Sequence, residues 1–484
     1  MAMVDSSQRR ELGALLRSVV KVTTVSDAPD YDQPWQNVGP MNSSGSGAIV
    51  DTKNGLRVLT NAHCVQDHVY VEVRRYGKAR KYQAEVEALG HECDLALLRV
   101  DDETFYAGTL PIPTGPLPHL SDQVSVCGYP VGGERLSITQ GIVSRIDLVQ
   151  YAQSQRRLLA VQIDAAINQG NSGGPVLKDG VLIGIAFQAL DDAEKIGYVI
   201  AVPVIEHFLE DVENGVYEGF PGMGVATQAL ESDTHRRALG LPAHREEGVL
   251  ITRVAYGSSA WGCLEQGDVL LAVDGVPVTP DGTVEMREGE HVDFAYVVSR
   301  RHVGETMECR VWRNGSELSV VVRLRPPSYL VPEDRYDVKP TYYVFGGLLF
   351  VPLTRNYLMT WTDPWWQNAP RDLVVTYEQG LRLPDYVEPV VLQKVLADRV
   401  NQGYHEYESL LVRKVQGEPI RSLRHLVRLV EGSDTPFVTF ELVDGRQLVV
   451  DRALAVERHD AILARFGIPT HRSTDLVDHP TDPV

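Results

Sequence analysis

The chain has 484 residues, of which 43 % are hydrophobic and 23 % charged, a globular composition with apolar material for about two to four domains. Its 46 basic and 65 acidic side chains give a formal net charge of −19, which argues against nucleic acid or an anionic membrane as the main partner, since both are met by clustered Lys and Arg. No apolar run reaches the ~18 residues of a membrane span. The five cysteines, Cys64, Cys93, Cys127, Cys263 and Cys309, include no CxxC pair, so neither a disulfide framework nor a zinc cluster is expected and a reducing compartment is the default.

At the N-terminus there is no continuous apolar stretch and no small-residue cleavage site. A cytoplasmic location is therefore expected, with the mature form of an exported or organellar protein left open. The spacing of Leu12, Leu15, Leu16 and Val19 predicts a short amphipathic helix. From about Val19 to Val202 the chain reads as short β-branched segments broken by Gly, Pro, Asn and Asp, among them "SVVKVTTV", "RVLTNAH", "LALLRV" and "VLIGIAF". Regular short strands with turn signals predict an all-β barrel or sandwich. "PVIEHFLEDVEN", Pro203 to Asn214, predicts a helix with proline near its start. The glycine-rich "GVYEGFPGMG" that follows marks a boundary near Gly219.

Short strands resume in a second module that ends at "RPP", Arg325 to Pro327. A third, from about Tyr336, carries "VFGGLLFVPL", a predicted helix over "VLQKVLADRV", then "LLVRKVQGEPI" and "SLRHLVRLVEG". "VDGVPV" at Val273 resembles "VQGEPI" at Val415, each a strand, a Gly turn and x-Pro-aliphatic, which suggests one fold for modules two and three. After about Arg465 the text is polar and rich in Pro, His and Asp, and predicts a loosely held tail. The expected division is 1–219, 220–327, 328–464 and a tail over 465–484.

The chemistry concentrates in three short segments of the first region. Ser172 sits in "INQGNSGGPV", His63 in "LTNAHCV" and Asp94 in "ECDLALLRV". A serine hydroxyl needs a base to take its proton, and the base needs a carboxylate to orient it and offset its charge. Singly, each residue reads more readily as a turn serine, an ordinary histidine or a strand cap. Together, in the order His, Asp, Ser within one β-rich region, they point to a nucleophile and its base. Gly170 allows backbone conformations closed to other residues, so amides of the loop can aim together at a developing oxyanion. "GNSGG" also matches the nucleophile elbow of α/β-hydrolases. That elbow needs a following helix with Asp and His downstream, whereas here Gly-Gly-Pro and the "DG" hairpin signal follow and the acid and base precede the serine.

"TNAHCV", "DLALL" and "GNSGGP" resemble the three active-site motifs of the Deg/HtrA family of trypsin-like serine proteases. "DAPDYDQPWQ", "CGYPVGGERLSITQGIVSR" and "IDAAINQGNSGGP" are most similar to its plant-type members with two PDZ domains. The resemblance implies a mainly β fold, a trypsin-like double β-barrel followed by two PDZ-like α+β domains. It implies His63 as general base, Asp94 as orienting carboxylate, Ser172 as nucleophile, and an oxyanion hole over Gly170, Asn171 and Ser172. "AWGCLEQGDVLLAVDGVPV", Ala260 to Val278, resembles the PDZ signature but carries Cys263 where the family usually has glycine. Gly222, Met223, Gly224 and Val225 occupy the place of the carboxylate-binding loop, where a peptide C-terminus could add as a strand. The third module lacks a clear GD segment, which leaves peptide binding and a structural or oligomer-contact role both open.

No cysteine precedes Cys64, so the bridge that secreted trypsin-like enzymes make there is impossible, and buried inert thiols are expected for Cys64 and Cys93. The floor of the primary specificity pocket in trypsin-like folds falls on Ala166, with Ile167, Ile185, Ala186 and Phe187 as apolar neighbours. Without an acidic group there, cleavage after small or medium aliphatic residues is expected. The resulting reading is an ATP-independent serine endopeptidase acting on unfolded or misfolded protein. It needs no cofactor or metal, since neither HExxH nor a P-loop occurs, and the resemblance implies a homo-oligomer, trimer or hexamer. The alternative is a peptide-binding scaffold or holdase whose protease domain is idle.

Overall fold

The computed structural model describes residues 13, 15–189 and 196–478. The chain forms two compact units, one of Met1–Asp27, Pro40–Val254 and Ser258–Pro327, the other of Ala28–Gly39, Ala255–Gly257 and Ser328–Val484.

Two closed six-stranded barrels open the first unit. Strands β1 (Val19–Ser26), β2 (Met41–Thr52), β3 (Gly55–Thr60), β4 (His68–Arg75), β5 (Lys81–Gly90) and β6 (Leu95–Arg99) close in the order β1-β2-β3-β6-β5-β4. The second barrel takes β7 (Gln123–Gly128), β8 (Ser137–Gln150), β9 (Arg157–Ile163), β10 (Pro175–Lys178), β11 (Val181–Ala189) and β12 (Gly197–Ala201), in the order β10-β11-β12-β9-β8-β7. Closure leaves no free sheet edge. Each interior is filled by the β-branched and leucine side chains that marked the strands, such as Val20, Val22, Ile49, Val58, Val73 and Leu98 in the first. Of the helix expected over Leu12, Leu15, Leu16 and Val19, Gly13 and Leu15 are helical, Leu16–Ser18 tightens into a 3-10 turn, and Val19 already pairs with Ala48 of β2. The helix thus stops short of Val19, where burial of Val19 and Val20 in the ladder outweighs the helical spacing. Leu12 lies outside the described residues.

Helix α1 (Val202–Asp211) follows, with Pro203 in its first turn where no amide donor is needed. It buries Val204, Ile205 and Phe208, and the Phe208 ring packs so closely over Gly90 that an added Cβ there would lie 2.9 Å from it. The module beyond Gly219 is an antiparallel sheet, β13 (Val225–Gln228), β14 (Val249–Val254), β15 (Val269–Val273), β19 (Thr306–Arg313) and β20 (Ser316–Arg323) in that order, with β16 (Val276–Pro277) beside β15 and a separate hairpin of β17 (Thr283–Arg287) and β18 (Glu290–Asp293). It packs on the second barrel within the same unit. Arg157 pairs with Asp293 at 3.2 Å, Arg287 donates to Pro118 O at 2.8 Å, and the His207 ring of α1 lies between those of Phe220 and His302 at 4.0 and 4.1 Å.

The second unit is built on one sheet, β21 (Tyr343–Phe345), β22 (Leu348–Pro352), β23 (Val390–Val395), β24 (Leu410–Val415), β26 (Phe437–Leu442) and β27 (Gln447–Asp451), with β25 (Glu418–Pro419) beside β24. "VLQKVLADRV" is not a helix. Val390–Val395 is a central strand between β22 and β24, buried over Val390, Val391, Leu392 and Gln393, where β-branched residues on both faces suit a strand. The repeat seen in the text is a structural repeat. Asp274 and Gln416 both take φ near +50°, and β16 and β25 pair back onto β15 and β24 in the same register, Val273 with Val276 and Val415 with Glu418.

Two segments join this unit against expectation. The residues after Arg465 are no loose tail as far as they are described: Val344 N donates to His471 O at 2.7 Å, Ser473 N donates to Tyr342 O at 3.0 Å, and Ile468 and Leu476 are buried. Backbone pairing and two apolar anchors outweigh the polar composition. Ala28–Gly39, the connection between β1 and β2, also belongs here. Gln393 Nε2 donates to Tyr31 O and Asp32 O at 3.0 and 2.9 Å, and Trp35 meets Tyr342 edge-on with ring centroids 5.9 Å apart.

Phe350 and Phe440 stack in the core of the second unit with centroids 4.9 Å apart. Phe440→Ala is expected to destabilise this unit by about 3–5 kcal/mol, seen as a lower urea midpoint for its transition. A midpoint unchanged from wild type would contradict this packing.

Candidate active site

The site forms where three connections of the first unit meet. After β3 the chain makes a 3-10 turn, Ala62–Cys64, carrying His63, and before β6 a second, His91–Cys93, ending on Asp94. Asp94 takes a left-handed conformation, φ +53°, which is uncommon outside glycine. Its surroundings hold it there: Asn61 Nδ2 donates to Asp94 O at 2.8 Å, and the carboxylate accepts from His63 N at 2.9 Å and from His63 Nδ1 at 2.7 Å. Asp94 is 1 % exposed, so this buried charge has two donors from the one residue it faces.

His63 keeps about a third of its side chain exposed, at 31 %. Burial by the surrounding protein opposes the charged ring, but the Asp94 carboxylate, with a lesser pull from Cys64, outweighs it and holds the imidazole well above its ordinary value. The proton on Nδ1 faces Asp94, which leaves Nε2 as the basic nitrogen.

The Ser172 loop is shaped by its neighbours across the two barrels. Gly170 has φ +92°, and a Cβ there would come within 2.4 Å of Tyr129 O, so no other residue fits. Gly173, φ +81°, is hemmed in the same way by Ser46 O at 2.1 Å. Asn171 N donates to Asn168 O at 2.9 Å, closing a tight turn, and Val131 N donates to Gln169 O at 2.7 Å. Because a trans peptide points its N–H opposite its C=O, the Gly170 amide is aimed away from Val131. Among the described residues neither the Gly170 nor the Ser172 amide has an internal acceptor, while that of Asn171 is already engaged. Of the three residues expected to form an oxyanion hole, Asn171 therefore shapes the loop and Gly170 and Ser172 keep free donors.

Sequence reasoning missed Ser46. From β2 it donates its backbone N–H to Ser172 O at 2.8 Å and its hydroxyl to Gly170 O at 2.7 Å, and it accepts from Tyr129 N at 2.8 Å. Its only signal was a serine between two glycines in "SGSGA". Glu92 was missed as well. Its Oε2 accepts from Phe220 N at 2.8 Å and its Oε1 lies 3.1 Å from Arg156 Nε, while burial raises its pKa against the lowering pull of Arg156.

His63, Gly170 and Ser172 line one open cleft of about 570 Å³. No hydrogen bond joins His63 to Ser172 Oγ among the described contacts, as is common in ligand-free sites. The residues expected around a specificity pocket do not line this cleft. Ile185, Ala186 and Phe187 are buried in β11, and Ile167 packs over Gly197. Gly222, Met223, Gly224 and Val225 stand at the start of the second module. The Gly222 amide donates to Arg325 O at 3.0 Å and its carbonyl accepts from Ser259 Oγ at 2.7 Å, so that amide is not available to a ligand. The five cysteines are free thiols. Cys64 Sγ lies 3.7 Å from Ser172 O, whereas Cys93 Sγ faces Gly90 O and Tyr217, with its thiol pKa pushed well up by burial. Among the described residues no helix is long and apolar enough to cross a membrane, and no cluster of His, Cys, Asp and Glu is arranged to hold a metal.

Comparison with known proteins bears on these residues. The family model of the trypsin-like peptidase domain matches residues 45–185, and that of a PDZ domain matches residues 331–475. The chain is 39 % identical over 485 residues to Protease Do-like 2, chloroplastic, of Arabidopsis thaliana, covering 97 % of this chain and 77 % of that protein. It is 38 % identical over 461 residues to Protease Do-like 4, mitochondrial, of the same plant, covering 95 % and 85 %. Among solved structures it is similar to the HtrA-type protease AlgW with a tripeptide, at 25 % identity and a TM-score of 0.51, over 66 % of this chain and 98 % of that one.

Replacing Asp94 by Asn removes the charge that raises His63. The His63 pKa is expected to fall toward or below the ordinary 6.5, measured by NMR titration of the imidazole nitrogens. An unchanged titration would show that Asp94 does not govern the ring.

Proposed function

The chain belongs to the Deg/HtrA family of serine proteases, and we propose that it cleaves peptide bonds through His63, Asp94 and Ser172. The observation that carries this reading is the buried Asp94 carboxylate gripping both His63 N and Nδ1, with His63 and Ser172 facing one cleft. Ser172 Oγ attacks the scissile carbonyl carbon as its proton passes to His63 Nε2. The negative oxygen that develops is received by the amides of Gly170 and Ser172. Collapse expels the amine, which takes the proton from His63 and leaves an ester on Ser172. Water, deprotonated by the same nitrogen, hydrolyses that ester. Throughout, the Asp94 carboxylate offsets the imidazolium.

Ala166 and its apolar neighbours support cleavage after small or medium aliphatic residues. Unfolded polypeptide is the substrate class that the family reading supports, in a homo-oligomer of trimer or hexamer size. At the second module, Met223, Gly224 and Val225 remain for a peptide C-terminus once the Gly222 amide is engaged.

Casein should be degraded by the wild type and not by Ser172→Ala; a wild type that suppresses aggregation yet cleaves nothing would favour the idle-protease alternative. Only neutral His63 accepts the serine proton. Its raised pKa therefore places the acid limb of the kcat/KM profile above pH 6.5, with activity rising as pH increases through it. Ser46→Ala frees the Gly170 carbonyl and should lower kcat by about tenfold, less than the ~10²–10³ of removing an oxyanion donor itself. Steady-state kinetics with an equal loss in KM alone would refute that role.

A further inference from the structure

The cleft beside Ser172 has two unlike sides. Its first-barrel wall is built from β1, β2, β4 and the start of β5, and its second-barrel side from the loop residues Val131, Glu134, Gln169, Gly170 and Ser172, while Ala166, Ile167 and Ile185 to Phe187 stay outside it. On the proposed mechanism, on which this inference rests, the acyl residue lies toward the second barrel. The leaving-group half of the substrate then runs along the first-barrel wall.

That wall carries a row of cations. Lys21 of β1 stands directly opposite Arg74 of β4, and Arg74 directly opposite Lys81 of β5, all three lining the cleft. Like charges directly opposite each other on antiparallel strands destabilise a sheet, so barrel stability does not explain the row. Its charge is met by Glu72, paired with Lys81, and by one visitor from the second barrel, Glu134. Glu134 Oε1 lies 2.8 Å from Lys21 Nζ, and its Oε2 lies 2.5 Å from Arg74 Nη2. One carboxylate is thus shared by two cations, an oxygen on each. The two cations are well packed, with side chains 14 % and 19 % exposed, but Glu134 is 72 % exposed on the loop beside Gly132 and Gly133. Because Glu134 is the exposed member of both pairs, another carboxylate can reach the two cations from solvent and compete for them.

We infer that Lys21 and Arg74, flanked by Lys81, form a carboxylate-binding subsite that selects Asp or Glu on the leaving-group side of the scissile bond. Glu134 is its resident occupant, and the substrate side chain displaces it. The chemistry is that of a charge-assisted carboxylate pair, strongest where the cations are already partly desolvated.

Internally quenched peptides with one acyl residue, Val, and Glu, Gln or Lys at the second position after the scissile bond test this. The wild type should cleave the Glu peptide with kcat/KM about tenfold above the Lys peptide, the ratio expected for one such contact. High salt should shrink the ratio. Lys21→Met and, separately, Arg74→Gln should bring it close to one, and Glu134→Gln should raise kcat/KM for the Glu peptide by removing its competitor. A wild-type ratio near one, or a Glu134→Gln protein slowed equally on all three peptides, would overturn the subsite and leave a mere strap between the barrels. Anisotropy with labelled peptides on Ser172→Ala protein separates the two readings. Preferential binding of the Glu peptide without turnover by the wild type would keep the subsite and sink the triad, whereas turnover without preference would sink only the subsite.

Discussion

One hydroxyl joins the two barrels at the point where the chemistry is assembled. Ser46 Oγ, on the first barrel, receives Tyr129 N and gives its proton to Gly170 O, both on the second, while the Ser46 amide holds Ser172 O. Neither barrel contains the site alone, since His63 and Asp94 come from one and the nucleophile loop from the other. The relative placement of His63, Ser172 and the amides of the Ser172 loop therefore depends on this junction. It is buried, and each hydrogen bond in it satisfies a group that would be costly to leave unpaired.

Charge follows the same logic of local compensation in a strongly acidic chain. Asp94 is buried and acquires its donors from His63, so that its carboxylate is met by the one residue it faces. On the cleft wall the arrangement is inverted, with Lys21, Arg74 and Lys81 side by side and their compensation supplied by Glu72 and by an exposed group, Glu134. Net charge sums over the whole chain and hides this local reversal of sign.

Much of the site was legible in the text because catalysis imposes local signatures. His63, Asp94 and Ser172 each sit in a short motif at a strand end, and the glycines of the Ser172 loop are dictated by contacts as close as 2.1 Å. What escaped was whatever depends on register. Lys21, Arg74 and Lys81 are neighbours only because β1, β4 and β5 pair as they do, and Ser46 becomes a clamp only once β2 meets the Gly170 loop. The helix expected over "VLQKVLADRV" fails for a related reason, since a short run of apolar residues suits a buried strand as well as a helix and tertiary pairing decides. The turn at Asp274 and Gln416 was legible because turn chemistry is local.

Glu92 has a mechanical consequence. It stands two residues from Asp94, and its carboxylate holds the amide of Phe220, where the second module begins. Two residues span at most about 7 Å of extended chain, and the intervening Cys93 is fully buried. There is almost no slack between the linker and the carboxylate that steers His63. A displacement of the linker that keeps the Glu92 bond must be taken up within one turn of backbone beside Asp94.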